Sequence, residues 1–113
     1  MIMASEEILK GMLEKHGNDE AVKKEIAGMN KSFQFKPTDG KPYCIRVAEG
    51  RASLVQGEVP EANVTISASE ETLTGLFTGS IDPVMSYMTG KIKISGDMMS
   101  AMKITGLVKN FRK

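Results

Sequence analysis

The stretch GKIKISGDMMSAMK, residues 90–103, joins two kinds of periodicity within fourteen residues. Ile92 and Ile94 alternate with lysines, as is typical of a strand with one apolar face. Asp97 then stands where the N-cap of a helix is expected. The helix that follows carries three methionines in its first turns: Met98, Met99 and Met102. The stretch therefore predicts a final strand that leads directly into a final helix, residues 97–111.

Upstream of this stretch, the chain begins with helical spacing and changes to a period of two. Ser5 is expected to cap a first helix that stops at Gly17, and Asn18 or Asp19 to cap a second helix that ends before Gly28. Alternation then predicts four strands, with turns at Asp39-Gly40 and Glu49-Gly50 and a loop marked by Gly57, Pro60 and Asn63. The predicted strands are 32–36, 43–48, 51–57 and 64–68.

Two short helices are predicted between the fourth and fifth strands. Ser69 is expected to cap the first of them, which ends at Gly79. Asp82-Pro83, an N-cap residue followed by proline at the first helical position, starts the second, which ends at Gly90.

This order of elements predicts an α+β fold with a five-stranded mixed sheet and its helices packed on one face. The first three strands should form an antiparallel meander. Helices between strands four and five allow a crossover, which predicts a parallel, right-handed pairing of those two strands. A length of 113 residues predicts a single domain over 1–113.

The composition is that of a soluble globular protein, with 41% hydrophobic and 26% charged residues. A net charge of +1 argues against a nucleic-acid partner. A single cysteine, Cys44, excludes an intramolecular disulfide and fits a reducing compartment. No apolar run approaches the roughly 20 residues that span a bilayer, and the first residues lack the pattern of a signal peptide. A cytoplasmic location is therefore predicted.

The residues that usually perform catalysis are sparse. His16, the single histidine, is expected to interact with the last carbonyls of the first helix, and Cys44 to be a small packed side chain. Glutamate pairs at 6–7 and 70–71 are expected to be helix-dipole partners. No phosphate-binding loop or dinucleotide fingerprint is present in the sequence. The sequence predicts neither an enzyme nor a metal or cofactor site.

The methionines and the final helix leave two questions open. Five of the nine methionines fall between residues 85 and 102, where they could fill the core or form the wall of a ligand pocket. In the final helix Met98, Ala101 and Met102 lie nearly opposite a second apolar group. Either the helix ends near Gly106, or one face meets the sheet and the other meets something else. The second apolar group is Ile104, Leu107, Val108 and Phe111.

Residues 64–104, VTISASEETLTGLFTGSIDPVMSYMTGKIKISGDMMSAMKI, resemble the sterol carrier protein 2 domain family. The matching motifs are LFTG at 76–79, Asp82-Pro83, GKIKI at 90–94, Gly96-Asp97-Met98 and Ala101-Met102-Lys103. The run from residue 90 to residue 98 is the most specific of these motifs. The upstream half resembles the family in element order and carries weaker motifs.

The resemblance implies a five-stranded sheet, helices on one face and an apolar tunnel between them, lined in part by the last helix. It implies non-enzymatic binding of a lipid or fatty acyl ligand: fatty acid, fatty acyl-CoA, phospholipid or sterol. The positions that match the lining region of the family are Phe77, Met85, Met88, Ile92, Ile94, Met98, Met99 and Met102.

Three functional hypotheses follow. The first is a lipid-binding module. The second is a structural or dimerisation module that keeps the fold without a lipid cavity, either monomer or homodimer. In both, Leu107, Val108 and Phe111 are expected to be exposed, as a lid or as an interface. The third is a membrane-surface protein that acts through the basic tail. In the lipid-binding module, six basic side chains could meet an anionic headgroup or make transient contact with an anionic membrane surface, and they also fit a solvated face: Lys91, Lys93, Lys103, Lys109, Arg112 and Lys113.

Overall fold

The helices and strands follow one another in the predicted order. This computed structural model describes residues 5–16, 19–59 and 61–111. The first part of the chain forms α1 (Ser5–His16), α2 (Glu20–Ile26), β1 (Lys31–Pro37), β2 (Tyr43–Ala48), β3 (Arg51–Gln56) and β4 (Val64–Ala68). The rest forms α3 (Glu70–Thr78), α4 (Pro83–Met88), β5 (Lys93–Gly96) and α5 (Met98–Phe111). The predicted markers Gly17, Asn18 and Pro60, and the basic residues Arg112 and Lys113, lie outside the described residues.

The strands form one mixed sheet in the order β3-β2-β1-β4-β5. The predicted antiparallel meander of β1, β2 and β3 is confirmed. The parallel pair is β1 with β4, whereas β4 and β5 pair antiparallel. The prediction of a parallel pairing between β4 and β5 is therefore wrong.

The reason lies in the connection between β4 and β5. Lys93, at the start of β5, pairs with Ser67 near the end of β4. The chain therefore leaves β4 along α3 and returns through α4 to the same end of the sheet, instead of crossing once to the opposite end. Hydrogen bonds from the amides of Lys91 and Ile92 to the Ser86 carbonyl, at 2.8 and 3.3 Å, fix this return.

The predicted N-caps of α3, α4 and α5 are confirmed. Ser69 Oγ accepts a hydrogen bond from the Thr72 amide, and Gly79 ends α3 in the left-handed conformation. Asp82 accepts from the Val84 amide at the start of α4. Asp97 accepts from the Met99 amide at 3.1 Å and from Ser100 Oγ at 2.8 Å. These side chains set where α3, α4 and α5 begin.

The helices pack on one face of the sheet, where α1 and α2 contact β3 and α5 contacts β4 and β5. Apolar side chains from alternate positions of the strands fill this face and are at most 5% exposed: Phe33, Phe35, Tyr43, Ile45, Val47, Val64, Ile66 and Ala68. On the opposite face Gln34 and Cys44 are also buried. Gln34 Nε2 donates to the Tyr43 and Gly57 carbonyls, and its Oε1 accepts from the Val59 amide. The segment after β3 is thereby held over the opposite face, and burial raises the pKa of the Cys44 thiol.

The start of α1 is tied to the core by a buried polar cluster. Ser5 Oγ lies 2.7 Å from Tyr43 Oη and 3.1 Å from Glu70 Oε1, and the Ser5 amide donates to Glu70 Oε2. Ser5 is the first residue of the described helix, so its predicted role as the N-cap is wrong. Burial raises the pKa of the Tyr43 hydroxyl above its usual range.

The prediction for His16 is also corrected. His16 Nδ1 lies 2.8 Å from a carboxylate oxygen of Asp19, the residue that precedes α2. The His16 side chain therefore links the two helices and does not bond to the last carbonyls of α1.

The last helix resolves the question of its two apolar faces. It continues through Gly106 to Phe111, which excludes the first of the two alternatives, a helix that ends near Gly106. The face that packs into the protein carries Ser100, Ala101, Ile104, Leu107 and Val108, while Met98, Met99 and Met102 are exposed. The expectation that Leu107 and Val108 are exposed is wrong, because they occupy the core-facing side. The side chain of Phe111 lies outside the described residues.

Candidate functional site

A cavity of about 520 Å³ lies between the sheet and the helices α3, α4 and α5. Strands provide its floor through Phe35, Ile66 and Ile94, and Ile92 completes it just before β5. The walls come from all three helices and from the connection between α3 and α4: Leu76, Phe77, Gly79, Ile81, Asp82, Pro83, Val84, Ala101, Met102, Ile104, Gly106 and Val108. We call this space the apolar cavity.

The chemistry of the apolar cavity is dominated by hydrocarbon. Asp82 is the charged residue of its described wall, and one of its carboxylate oxygens accepts the Val84 amide at 2.9 Å. Aromatic rings close one end, where the Phe35 ring meets Phe77 edge to face at 5.5 Å and stacks on Tyr43 at 5.3 Å. Such a surface offers van der Waals contact and few polar partners, which suits an apolar ligand.

Short elements and small side chains keep this space open. The α4 helix has only six residues and cannot cover the sheet as α1 does. On α5 the wall includes Ala101 and Gly106, and a Cβ built on Gly106 meets no atom within 4 Å. The absence of larger side chains at these two positions contributes to the open volume of the cavity.

The structure brings together four of the eight predicted lining residues. Phe77 and Ile92 are buried in the cavity wall, Ile94 is partly buried, and Met102 lies at the cavity although 64% exposed. The other four lie outside the wall of the cavity: Met85, Met88, Met98 and Met99.

Helix geometry explains this division of the methionines. In α4 the buried position is Ser86, whose Oγ donates to the Asp82 carbonyl, so Met85 and Met88 point outward. In α5 the cap at Asp97 directs Ser100 and Ala101 inward, which leaves Met98 and Met99 on the exposed side. The four side chains lie outside the described wall of the cavity, and their predicted contact with a ligand stays a prediction.

Sequence reasoning missed much of the wall. Phe35 and Ile66 fell within the predicted strands 32–36 and 64–68 without being assigned to the site, and Ile104 and Val108 belonged to the second apolar group of the final helix. Phe35 and Ile66 lie in register with Ile94, a predicted lining residue, but that register depends on strand pairing and is not visible in the local pattern. On α5 the spacing alone did not tell which of the two apolar groups faces the cavity. Nothing in the local pattern identified residues 79–84 as a wall.

A second cavity of about 520 Å³ lies beside the first, at the end of the sheet where β4 stops and β5 begins. Seven of its ten lining residues are polar or charged, and the complete wall consists of Thr38, Ser67, Ala68, Ser69, Glu71, Thr72, Ile81, Gly90, Lys91 and Lys93. Ile81 lies in the wall of both cavities. We call this space the polar cavity.

The described part of the chain lacks two kinds of structure. Residues 5–16, 19–59 and 61–111 contain no group of three or more histidine, cysteine, aspartate or glutamate side chains placed to hold a metal ion. In the same part of the chain, no helix combines the length and the hydropathy needed to cross a membrane.

Comparison with known proteins gives a consistent result. Residues 9–109 match the model of the SCP-2 sterol transfer family. Sterol carrier protein 2 of Rattus norvegicus is 35% identical over 100 residues, a match that covers 84% of this chain and 17% of the rat protein. The chain spans about a sixth of the length of the curated relatives it matches.

Solved structures resemble the fold over nearly the whole chain. The solution structure of sterol carrier protein domain 2 of Helicoverpa armigera has a TM-score of 0.73 and 26% identity, and covers 95% of this chain and 84% of that one. Sterol carrier protein 2 of Aedes aegypti, in complex with the C16 fatty acid palmitate, has a TM-score of 0.68 and 11% identity over 96% and 98% of the two chains.

The family match, the rat relative and the five-stranded sheet with its helices on one face agree with one another. The match to the family model begins within α1 and ends near the end of α5, so it includes every strand and both cavities. This chain belongs to the SCP-2 sterol transfer family.

Proposed function

We propose that this chain is a non-enzymatic carrier that binds one lipid, with the hydrocarbon part of the ligand in the apolar cavity. The observation that carries the proposal is the cavity itself, about 520 Å³ and walled by hydrocarbon. This volume is within the range of roughly 300–1,000 Å³ that is usual for small-molecule sites. Each CH₂ transferred from water into such a site contributes about 0.8 kcal/mol, so a long acyl chain needs few polar contacts.

The relatives support the same class of ligand. The Aedes aegypti protein holds palmitate on the same fold, and the rat relative is named as a sterol carrier. The proposed ligands are therefore fatty acid, fatty acyl-CoA, phospholipid or sterol. Phe77, Ile92, Ile94 and Met102 are proposed to contact the chain inside the cavity. Met85, Met88, Met98 and Met99 are proposed to contact it outside.

The alternative hypothesis, a structural or dimerisation module without a lipid cavity, expects side chains to fill the space between sheet and helices. The open volume beside Gly106 favours the carrier. Exposed lysines at 91, 93 and 103 are compatible with transient contact with an anionic membrane during loading. A cytoplasmic location stays a prediction.

The direct test is to fill the cavity from α5. Gly106→Leu places a side chain where open space lies and replaces a poor helix former by a good one. We expect saturable binding of a fluorescent palmitate analogue by the original protein and at least tenfold weaker binding by Gly106→Leu. The matched control is Gly11→Leu, at an exposed helical glycine of α1 that also has no atom near its Cβ position. Absence of saturable binding, or equal binding by Gly106→Leu and Gly11→Leu, would overturn the proposal.

A pair of methionine variants tests the assignment of contacts. Met102→Lys places a charge at the cavity and Met99→Lys places it outside, one turn earlier on the same helix. Since burying a charge against hydrocarbon is unfavourable, affinity should fall more for Met102→Lys than for Met99→Lys. A larger loss for Met99→Lys would assign the binding surface to the outer methionines instead.

A further inference from the structure

The polar cavity and the apolar cavity share the alternating side chains of one segment. Ile92 and Ile94 line the apolar cavity, whereas Lys91 and Lys93 line the polar cavity. Lys93 and Ile94 are successive residues of β5 and point to opposite sides of the sheet. Lys91 and Ile92 precede β5 and divide between the two cavities in the same way, so residues 91–94 lie between a hydrocarbon surface and a cationic one. The isoleucines of the KIKI pattern at 91–94 thus line one cavity, and its lysines line the other.

Ile81 is the side chain that the two cavities have in common. Its amide donates to the Gly75 carbonyl at 3.1 Å, and a Cβ built on Gly75 would collide with the Ile81 side chain. Ile81 therefore lies directly against the backbone of α3. The Ile81 side chain is thus in the wall of both cavities.

The charges around the polar cavity favour an anion. Lys91 and Lys93 are exposed, and neither side chain forms a hydrogen bond or an ion pair with another residue in the described part of the chain. Glu71 is the opposing charge on the wall, which leaves a net single positive charge. Hydroxyl groups of Thr38, Ser67 and Thr72 add polar atoms to the wall, whereas the Ser69 hydroxyl donates to Thr72 Oγ1 and caps α3.

We propose that the polar cavity binds the phosphate-bearing headgroup of the lipid whose chain occupies the apolar cavity. The inference rests on the proposed function and narrows its ligand class. The wall offers two ammonium groups and several hydroxyls, more hydrogen-bond partners than a bare carboxylate can use, whereas a glycerol phosphate group has enough oxygens to bond to them. Lysine ammonium groups bind phosphate oxygens through charge-assisted hydrogen bonds.

The test compares two lipids that differ only in the phosphate. Palmitoyl glycerol phosphate and palmitoylglycerol are titrated separately against a protein that holds a fluorescent palmitate analogue. We expect the phosphate-bearing lipid to displace the analogue at about tenfold lower concentration at low salt, with a difference that shrinks as salt is added. In the double variant Lys91→Gln/Lys93→Gln, the affinity for palmitoyl glycerol phosphate should fall to that for palmitoylglycerol.

A control at a second pair of lysines distinguishes a local phosphate site from general electrostatic attraction between the protein and the anionic lipid. Lys23→Gln/Lys24→Gln removes the same charge from the exposed surface of α2, and the tenfold preference should survive it. Loss of the preference in both double variants would overturn the inference. So would competition by free glycerol phosphate as strong as that of the complete lipid, because the phosphate would then bind without the chain.

The two proposals fail in distinguishable ways. Equal displacement by both lipids overturns the headgroup site and leaves the carrier function standing. No displacement by either lipid, together with no saturable binding of the analogue, overturns the carrier function and the headgroup site with it.

Discussion

The two edges of the sheet are built differently. At the β3 edge, which we call the closed end, α1 packs against α3 and β3, and the buried cluster of Ser5, Tyr43 and Glu70 fixes the position of α1. At the β5 edge, which we call the open end, the short α4 and the first turns of α5 leave two cavities beside β4 and β5. Both cavities and the exposed methionines lie at the open end.

This difference indicates a separation of tasks. Side chains of the closed end fill space and satisfy one another, as interiors at native density do. The open end keeps hydrocarbon walls without filling the space between them, so it forgoes contacts that would stabilise the fold. Stability should therefore depend mainly on the closed end, and ligand binding on the open end.

The largest expected effect comes from truncating two leucines of α3. Leu73 is fully buried, whereas Leu76 is partly exposed and lines the apolar cavity. Leu73→Ala should lower the free energy of unfolding by about 3 kcal/mol because it creates a new void in packed surroundings. Leu76→Ala should cost only about 1 kcal/mol, because it enlarges a space that is already open.

Urea unfolding of both variants, followed by circular dichroism, measures these losses. Titration with the fluorescent palmitate analogue should show weaker binding for Leu76→Ala. Equal losses of stability at the two positions would mean that the cavity is packed as tightly as the core, and the distinction between the two ends would be lost.

A smaller effect is expected at Gly75, on the boundary between the cavities. Gly75→Ala forces the Ile81 side chain away from α3, and overpacking of this kind costs about 2 kcal/mol. Because Ile81 moves, lipid affinity should change together with stability. Gly11→Ala, where a Cβ meets no atom within 4 Å, is the control and should raise stability by up to about 1 kcal/mol. Unchanged binding by Gly75→Ala would show that Ile81 does not shape the site.

The smallest effect concerns the hydroxyl of Tyr43 at the closed end. Tyr43→Phe removes its hydrogen bond to Ser5 and should cost about 1 kcal/mol at neutral pH. The pKa of Tyr43 is raised in the folded protein, chiefly by burial. Above about pH 10 the unfolded chain releases this proton while the folded chain keeps it. Stability should therefore fall as pH rises, by about 1.4 kcal/mol per pH unit.

Unfolding by urea at pH 7 and at several values above pH 10 checks this prediction. The loss of stability with rising pH should be less steep in Tyr43→Phe than in the original protein. Tyr87→Phe, at an exposed position of α4, is the control and should keep the steep loss. If stability depended on pH in the same way for Tyr43→Phe and the original protein, burial of the Tyr43 hydroxyl would not be the cause of the loss.

Local signals predicted the elements well, because caps and alternation act over a few residues. Ser69, Asp82 and Asp97 start their helices as expected, and residues 43–48 form a strand. The pairing of β4 with β5 was mispredicted because its direction depends on whether the intervening helices cross the sheet once or return. Sequence spacing allows either path, and contacts such as those of Ser86 decide between them.

The site was predicted only in part, for a related reason. On α5 the helical spacing offers two apolar groups, and it does not say which one faces the sheet. In the folded protein, Ile104, Leu107 and Val108 pack into the interior, so Met98 and Met99 face outward. The polar cavity depends on residues far apart in sequence, such as Thr38 and Lys93, and on where Ile81 lies. No local pattern contains that information.

The contact between Ile81 and Gly75 has a consequence for how ligand range can change during evolution. Residue 81 lies between α3 and α4, outside every helix and strand, and borders both cavities. A change of side-chain size at this position redistributes volume between them while the sheet register stays as it is. Position 75 must stay glycine for this arrangement, because a Cβ there would collide with the Ile81 side chain that packs against α3. Selection can therefore tune ligand preference at residue 81 with little cost to the scaffold.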